Sequence, residues 1–275
     1  MFYNNIEPVL LSVGPITIRY YGLAYAVGLI MTYMFLRHIA QKEEDVRFNK
    51  NDVDDMFIYI MLGMIIGARL GYALIYNFTS YISEPLLIFQ LWRGGMSFHG
   101  GLVGVVLAII LYVKVHNSKI GKDKRKETIE AYDITDVITI PAAFALALGR
   151  IANFTNHELY GRITDVPWAV NFRGVDGFRH PSQIYEAMYS VVIGLIQWAL
   201  FTRKIAKGMM TWSFVTLYGV FRFITEFFRQ PDVHMGTDGF FFGWMTTGHM
   251  LSAIMIVVGS IMIWKIYLRT IREYE

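Results

Sequence analysis

The sequence has no cysteine among its 275 residues. This absence excludes structural disulfides, thiolate metal sites and a cysteine nucleophile supplied by the protein. The chain also has no internal repeat, no low-complexity tract and no stretch with the composition of a soluble domain. Its first residues, "MFYNNIEPVLLSVGP", lack a basic n-region and a small-residue cleavage site, so we expect no removable signal peptide.

Hydrophobic residues make up 55% of the chain, whereas only 17% of its residues are charged. Several apolar runs are about 20 residues long, enough to cross a hydrocarbon core of about 30 Å at about 1.5 Å per residue. We therefore predict an all-α polytopic membrane protein in which residues 1–275 form a single transmembrane domain. The seven predicted spans are 17–39, 53–76, 95–115, 132–152, 182–202, 208–228 and 244–268. The apolar stretch "PLLIFQLW" (85–92) is too short to span and is expected at the membrane interface.

Lysine and arginine are concentrated in alternate segments between the predicted spans. Sixteen of the 25 basic residues follow the first, third, fifth and seventh spans. Because cytoplasmic loops carry such an excess, we expect the N-terminus outside and the C-terminus in the cytoplasm. Basic stretches such as "KIGKDKRK" (119–126) are then topology determinants and not nucleic-acid binders. The longest outer segment, 153–181, is expected to form a small extracytoplasmic arm.

Four arginines fall within a predicted span or at its edge: Arg19, Arg69, Arg150 and Arg222. An arginine at the centre of a membrane helix costs about 2.5–3.5 kcal/mol on insertion scales, so such residues normally face a polar cavity. With the predicted orientation, all four lie toward the outer side of the bilayer. This common depth predicts one polar cavity that opens toward the outer leaflet.

The sixth predicted span carries a polar stripe in "LYGVFRFITEFFRQPD". Tyr218, Arg222, Glu226 and Arg229 recur at spacings of four, four and three residues, which places them on one helical face. One interpretation is an internal salt bridge between Arg222 and Glu226 that shields a buried charge. The second is an anion site, because arginine binds phosphate through a planar fork and stays charged at physiological pH. At that depth the expected anion is a phospholipid headgroup.

A histidine opens the third predicted span in "RGGMSFHGG" (93–101). His99 has an unperturbed pKa of about 6.5 and is therefore a candidate general base. A hydrogen-bonded histidine that only packs between helices would give the same pattern, and both interpretations stay open. Gly100 and Gly104 in this span, like the Gly63 to Gly71 stripe of "GMIIGARLG", predict close helix packing.

Three further polar positions stand near predicted span ends. Tyr21 in "YYGLAYAVG" resembles an ordinary interfacial aromatic residue. In "RHPSQIYEA" (179–187), Ser182 is a candidate N-cap, and Glu186 lies one turn inside the fifth span, where it can pair with an embedded arginine. The "NHE" of residues 156–158 has no second ligand cluster, so we expect no metal site and no cofactor.

The chain resembles the bacterial prolipoprotein diacylglyceryl transferases over nearly its whole length. The stretch "GRIANFTNHELYGR" is similar to the family signature, roughly G-R-x-(G/A)-N-F-x-N-x-E-x-x-G. Three further stretches resemble family blocks and stand in the family's order: "GGMSFHGGLVG", "RHPSQIYEA" and "EFFRQPD". A match of four blocks is highly specific. His157 departs from the family pattern, where glycine is frequent, and the short stretch between Arg162 and Arg179 implies a smaller arm.

The resemblance implies a reaction, its partners and a location. The sn-1,2-diacylglyceryl group of phosphatidylglycerol is transferred to the lipobox cysteine of a prolipoprotein signal peptide, which forms a thioether and releases glycerol 1-phosphate. The implied location is the bacterial cytoplasmic (inner) membrane, with the active site toward its outer side. The absence of cysteine from this chain fits, because the reactive thiol belongs to the substrate.

The resemblance also implies which residues act. The implied catalytic residues are His99, Arg150, Arg222, Glu158 and Tyr21. The implied phosphatidylglycerol-binding residues are Arg150, Asn153, Gly161, Tyr218, Arg222, Glu226 and Arg229. Two different classes stay open from the residues alone: a transporter of organic anions or lipids, and a structural membrane protein that binds headgroups without turnover. Consumption of the lipid headgroup separates both of them from a transferase.

Overall fold

The structure, a computed structural model, describes residues 1–14, 16–43, 46–120, 128–231 and 243–274. Most of the chain is helical, as predicted. The helices are α1 (Tyr20–Lys42), α2 (Lys50–Ile75), α3 (Phe78–Ser83), α4 (Phe98–Ile120), α5 (Ala131–Thr155), α6 (Ser182–Thr202), α7 (Met209–Glu226) and α8 (Thr247–Tyr274). The strands are β1 (Phe2–Asn4), β2 (Val9–Val13), β3 (Ile16–Arg19), β4 (Val170–Phe172) and β5 (Phe178–Arg179).

Six helices are long and apolar enough to cross a membrane: α1, α2, α4, α5, α6 and α8. They confirm the prediction of a polytopic, mainly α-helical membrane protein. The remaining predicted span corresponds to α7, an 18-residue helix that carries Arg222 and Glu226 and is not among the six. The count of seven spans and their orientation therefore stay predictions. Lys122, Lys124, Arg125, Lys126 and Asp232, on which parts of the sequence argument rest, lie outside the described residues.

The chain divides into two compact units, residues 1–35 with 135–275 and residues 36–134. In the first unit, Asp136 of α5 accepts hydrogen bonds from the backbone N–H groups of Gly208 and Thr211, at 2.6 and 2.8 Å. These bonds satisfy free N–H groups at the start of α7 and tie that helix to α5. Farther along α7, Tyr189 of α6 stacks on Phe221 with ring centroids 5.5 Å apart. Together, these contacts fix the direction in which the polar stripe of α7 faces.

The segment 153–181 has structure of its own, which it shares with the start of the chain. Strand β4 pairs in parallel with β1 and antiparallel with β5. Asn4 is fully buried, and its side-chain amide donates to the carbonyl of Phe154 at 2.8 Å. The sequence analysis did not foresee this pairing, because the two strands are three residues long and about 165 residues apart. On which side of the membrane the sheet lies stays a prediction.

The position of Arg19 corrects the first predicted span. Arg19 ends β3, which pairs antiparallel with β2, and its side chain is exposed. Helix α1 begins one residue later, at Tyr20. Alternating β-branched and polar residues in "ITIR" favour a strand over a helix at this point. Arg19 is therefore not an arginine embedded in a helix.

In the second unit, α2 and α4 pack through glycines, as predicted. A Cβ on Gly63 would lie 2.5 Å from the carbonyl oxygen of Gly104, and one on Gly67 would lie 2.4 Å from that of Gly100. A Cβ on Gly71 would lie 2.7 Å from the Cα of Gly100. Real Cβ atoms do not approach so closely, so the backbones of the two helices touch only because both carry glycine here.

Arg69 in α2 is buried, and its guanidinium is used within its own unit. It donates to the carbonyls of Leu87, Ile88, Gln90, Gly94 and Gly95. These acceptors occupy all five of its N–H groups. Arg69 thus organises the turn after α3 and has a structural role that the prediction of a shared anion cavity did not include.

The turn that Arg69 organises contains the predicted interfacial stretch. It forms two short 3-10 helices, Pro85–Phe89 and Leu91–Arg93. Leu86, Phe89 and Trp92 are 73%, 72% and 80% exposed. Large apolar side chains turned away from the protein fit a position at the membrane interface, which stays a prediction.

Candidate active site

Charged residues from α5, α6, α7 and the turn after α7 meet in the interior of the first unit. We call Arg150, Glu186, Arg222, Glu226 and Arg229 the arginine cluster. Arg150 lies near the end of α5, Glu186 in the second turn of α6, and Arg222 and Glu226 one turn apart on α7. The sequence predicted Tyr218, Arg222, Glu226 and Arg229 on one helical face, but α7 ends at Glu226, so Arg229 reaches the cluster from the turn that follows the helix.

Glu186 is the carboxylate that the three arginines share. Its Oε2 lies 2.7 Å from Nε of Arg150, and its Oε1 lies 3.6 Å from Nη1 of Arg222 and 3.4 Å from Nη1 of Arg229. The residue is only 1% exposed. The prediction that Glu186 pairs with an embedded arginine is confirmed, and the structure shows three arginine partners where one was expected.

Arg222 and Glu226 form the predicted ion pair one helical turn apart. Glu226 thus gives the three arginines of the cluster a second carboxylate. Water reaches these charges poorly, because the side chains of the three arginines are only 8–17% exposed. The salt bridge of the first interpretation is therefore present, and the anion site of the second stays a prediction.

Two tyrosines line the cluster. The guanidinium of Arg150 donates through Nη2 to the hydroxyl of Tyr218 at 3.4 Å. Tyr189 packs edge-on against Tyr218, and among the described residues its buried hydroxyl has no hydrogen-bond partner. Tyr218 was predicted from the sequence. Tyr189 was not, because its apolar sequence neighbours do not indicate a functional site.

Asn153 and Glu158 form a compact turn that ends α5. Asn153 donates through Nδ2 to Oε1 of Glu158 at 2.7 Å, and the backbone N–H of Glu158 donates to the carbonyl of Asn153 at 3.1 Å. His157 and Leu159 both have φ of 57°, in the left-handed region that favours glycine. The frequent glycine of the family signature thus has a backbone reason at position 157. Here the imidazole of His157 contacts the carbonyl of Ile6 at 2.8 Å through Nε2.

Gly161 has a packing role. A Cβ there would lie 2.5 Å from the carbonyl oxygen of His180 and 2.6 Å from that of Phe228. The backbone of Gly161 forms an isolated antiparallel bridge with Arg229. The next residue, Arg162, donates through Nε to the carbonyl of Arg229 at 3.0 Å. Because residue 161 is glycine, the segment that follows α5 can pack closely against the backbone of Arg229.

His180 packs against Gly161 and was not singled out in the sequence. Its Nδ1 lies 3.1 Å from the hydroxyl of Tyr185, and its ring packs edge-on against Phe228. Burial lowers the pKa of His180 below its ordinary value, because loss of water disfavours the imidazolium. A neutral histidine at this position packs within the segment that holds Gly161 in place.

Tyr21 lies in the first turn of α1. Its hydroxyl lies 3.1 Å from that of Tyr25. The rings of the two tyrosines pack at a centroid distance of 4.9 Å. A catalytic role for Tyr21 stays a prediction.

His99 belongs to the second unit. It lies in the first turn of α4, its side chain is exposed, and its ring contacts Phe98 edge-on. The assignment of His99 as a general base stays a prediction. In the described part of the chain, His, Asp and Glu side chains do not come together in groups of three or more that could hold a metal ion.

The chain is similar to known proteins over nearly its full length. The family model of prolipoprotein diacylglyceryl transferases matches residues 8–265. A phosphatidylglycerol–prolipoprotein diacylglyceryl transferase of Geobacter sulfurreducens is 41% identical over 264 residues, which cover 95% of this chain and 96% of that protein. A protein of the same name from Methylococcus capsulatus is 38% identical over 271 residues, 97% of this chain and 98% of the relative. One from Coxiella burnetii is 38% identical over 269 residues, with the same two coverages.

Proposed function

The chain belongs to the prolipoprotein diacylglyceryl transferase family, and we propose that its arginine cluster binds phosphatidylglycerol and promotes transfer of the diacylglyceryl group to a prolipoprotein. The observation that carries the role of the cluster is the convergence of three arginines from separate elements on one buried carboxylate, Glu186. The phosphodiester of phosphatidylglycerol carries one negative charge, which guanidinium groups bind well.

The two arginines of the cluster that lie on helices hold the phosphate. Arg150 and Arg222 come from α5 and α7, and both are oriented by Glu186. A guanidinium whose own position is held by a carboxylate loses little freedom when a substrate binds. Tyr218, which accepts from Arg150, supplies a hydroxyl to the same headgroup.

Transfer breaks one bond and forms one bond. The sulfur of the lipobox cysteine attacks glycerol C3 of the diacylglyceryl moiety, and the C–O bond to the phosphate breaks with its electron pair on oxygen. The leaving group is glycerol 1-phosphate, whose growing negative charge Arg150 and Arg222 stabilise. Because the thiol has an ordinary pKa of about 8.5 and reacts as the thiolate, a base must accept its proton.

His99 is the proposed base, since its ring is exposed at the start of α4. Glu186 and Glu226 are already paired with arginines, which suits them to orient those side chains. The variant His99→Gln should lose transfer activity while it still inserts into the membrane and binds phosphatidylglycerol. Normal turnover by this variant would remove the assignment.

The proposed location is the cytoplasmic membrane of a bacterium, with the cluster toward the outer side. Support comes from the alternation of basic segments along the chain. An outer-facing site lets an exported signal peptide and a lipid of the bilayer meet without crossing the membrane. The lipobox segment of the signal peptide is the proposed second substrate.

A direct assay tests the proposal. Purified full-length protein is incubated with phosphatidylglycerol and a lipobox peptide, and the peptide mass and the released glycerol phosphate are measured. We expect a peptide heavier by one diacylglyceryl group, dependent on its cysteine and lost in Arg150→Gln. Arg269→Gln is the matched control, since this arginine is 82% exposed and pairs with Glu273 one turn along its own helix. An unmodified peptide with intact lipid, from folded protein, would favour binding or transport instead.

A further inference from the structure

The first turn of α8 contacts the arginine cluster through Glu226. The hydroxyl of Thr246 donates to Oε1 of Glu226 at 2.6 Å, while Oε2 of the same carboxylate pairs with Arg222. Glu226 thus uses one oxygen for the arginine and the second for the threonine. Both Thr246 and Glu226 are buried, so water does not compete for this bond.

Thr246 and His249 hold each other in a reciprocal cap. The backbone N–H of His249 donates to Oγ1 of Thr246 at 3.3 Å, and the backbone N–H of Thr246 donates to Nδ1 of His249 at 3.2 Å. This is the pattern of a capping box, in which the third helical residue is usually Glu or Gln. Oγ1 also lies 3.1 Å from Nδ1 of His249, but its single proton goes to Glu226, since the carboxylate oxygen at 2.6 Å is the closer and stronger acceptor.

His249 is fixed by its surroundings. It is fully buried, with its ring edge-on to Phe227 and Phe223 at centroid distances of 4.5 and 4.9 Å, and 5.6 Å from Trp244. Since Nδ1 accepts a backbone N–H, the ring is the neutral tautomer with its proton on Nε2. The imidazole therefore adopts one orientation, and its hydrogen bonds hold the side chain of Thr246 in place.

Gly248, in the same turn, has no side chain and therefore allows the Glu226 carboxylate to approach the backbone. A Cβ there would lie 2.5 Å from Cδ and Oε1 of Glu226 and 2.7 Å from Oε2. The carboxylate consequently rests against the backbone at the N-terminus of a 28-residue helix, where the helix dipole favours a negative charge. Glycine at 248 and the hydroxyl at 246 act on the same group from two sides.

We propose that Thr246, Gly248 and His249 are positioning residues for Arg222: they fix the Glu226 carboxylate, which in turn holds the guanidinium toward the phosphate. The inference rests on the proposed function of Arg222 and Glu226. None of the three residues needs to touch the substrate for this role. Their contribution is to reduce the rotamers that Glu226, and through it Arg222, can adopt before the lipid binds.

The test compares kcat and KM for phosphatidylglycerol in purified full-length variants. Thr246→Val keeps the shape and removes the hydroxyl, and Thr247→Val makes the same change one residue away as the matched control. We expect kcat/KM to fall by about tenfold to a hundredfold in Thr246→Val, the loss typical of one hydrogen bond to a charged group. Thr246→Ser should restore most of it. Equal activity of Thr246→Val and Thr247→Val would overturn the proposal.

A double-mutant cycle with Glu226→Met, which leaves no acceptor for Thr246, separates positioning from a general loss of structure. If Thr246 acts through Glu226, adding Thr246→Val to Glu226→Met should lower kcat/KM by less than about twofold, whereas independent effects multiply. Multiplied effects would overturn the proposal. If Glu226→Met and Arg222→Gln are both fully active, the proposed function of the cluster fails as well. If they are impaired while Thr246→Val is not, only the positioning role fails.

Variants of His249 keep the proposal testable if Thr246→Val does not fold. Glutamine can accept from the backbone N–H of Thr246 as the imidazole does, so His249→Gln should retain activity. His249→Phe keeps an aromatic ring among Phe223, Phe227 and Trp244 but has no acceptor, so kcat/KM should fall about tenfold. Equal activity of the two variants would contradict the role of the cap.

Discussion

Replacing Glu186 with glutamine isolates the role of the carboxylate that the three arginines share. Glutamine keeps the volume and one carbonyl acceptor but removes the negative charge that faces Arg150, Arg222 and Arg229. The net charge of the cluster then becomes more positive by one unit. The arginines repel one another more strongly and lose the acceptor that fixes their directions.

The effect should be large because Glu186 is only 1% exposed. Removing one partner of a buried ion pair costs about 3–5 kcal/mol. At about 1.4 kcal/mol per tenfold change, loss of that amount from the transition state lowers kcat at least about a hundredfold. Since the added positive charge attracts an anionic lipid, KM for phosphatidylglycerol should stay level or fall. The expected signature is thus a lower kcat without a higher KM.

The assay is the transfer reaction with phosphatidylglycerol varied at a saturating concentration of lipobox peptide. Glu273→Gln is the control, because Glu273 pairs with Arg269 on the exposed surface of α8, where such pairs contribute about 0.2–1 kcal/mol. A folded Glu186→Gln protein with unchanged kcat and raised KM would refute the reasoning. It would mean that Glu186 contributes to lipid binding alone and does not set the geometry of the arginines.

Two further substitutions test the supports of the site. Gly161→Ala should abolish transfer and lower the melting temperature by several degrees, because its Cβ would lie 2.5 Å from the carbonyl oxygen of His180; an active, equally stable variant would contradict the packing role. Arg69→Gln should lower thermal stability and leave KM for phosphatidylglycerol unchanged, because it leaves several part-buried carbonyls without their donor; a raised KM at unchanged stability would indicate lipid binding instead.

Local periodicity predicted those parts of the site that lie on one helix. Arg222 and Glu226 are one turn apart, so their ion pair follows from the spacing alone. The glycines of α2 and α4 were also recognised, because glycine at every fourth position of an apolar helix is typical of a close contact between helices. Composition and length, which are equally local, account for the agreement between the six most apolar helices and predicted spans.

Arg19 and Arg69 are the two arginines whose surroundings local sequence patterns did not predict. Both were assigned to the cavity because an arginine in an apolar segment is costly unless it meets polar groups. One proved to be on a strand, and the second uses backbone carbonyls as its polar groups. A carbonyl belongs to every residue, so a sequence carries no mark that a segment about 20 positions away will supply five of them.

The sequence by itself determined that the chain is a helical membrane protein, which residues share the face of α7, and to which family it belongs. These properties depend on composition, on the helical period and on short motifs, all of which are local. Only the tertiary structure decided that Glu186 binds three arginines and that the first turn of α8 reaches Glu226. Such contacts join residues 20 to 43 positions apart, and they form because buried charges must find partners wherever the packing of helices brings them.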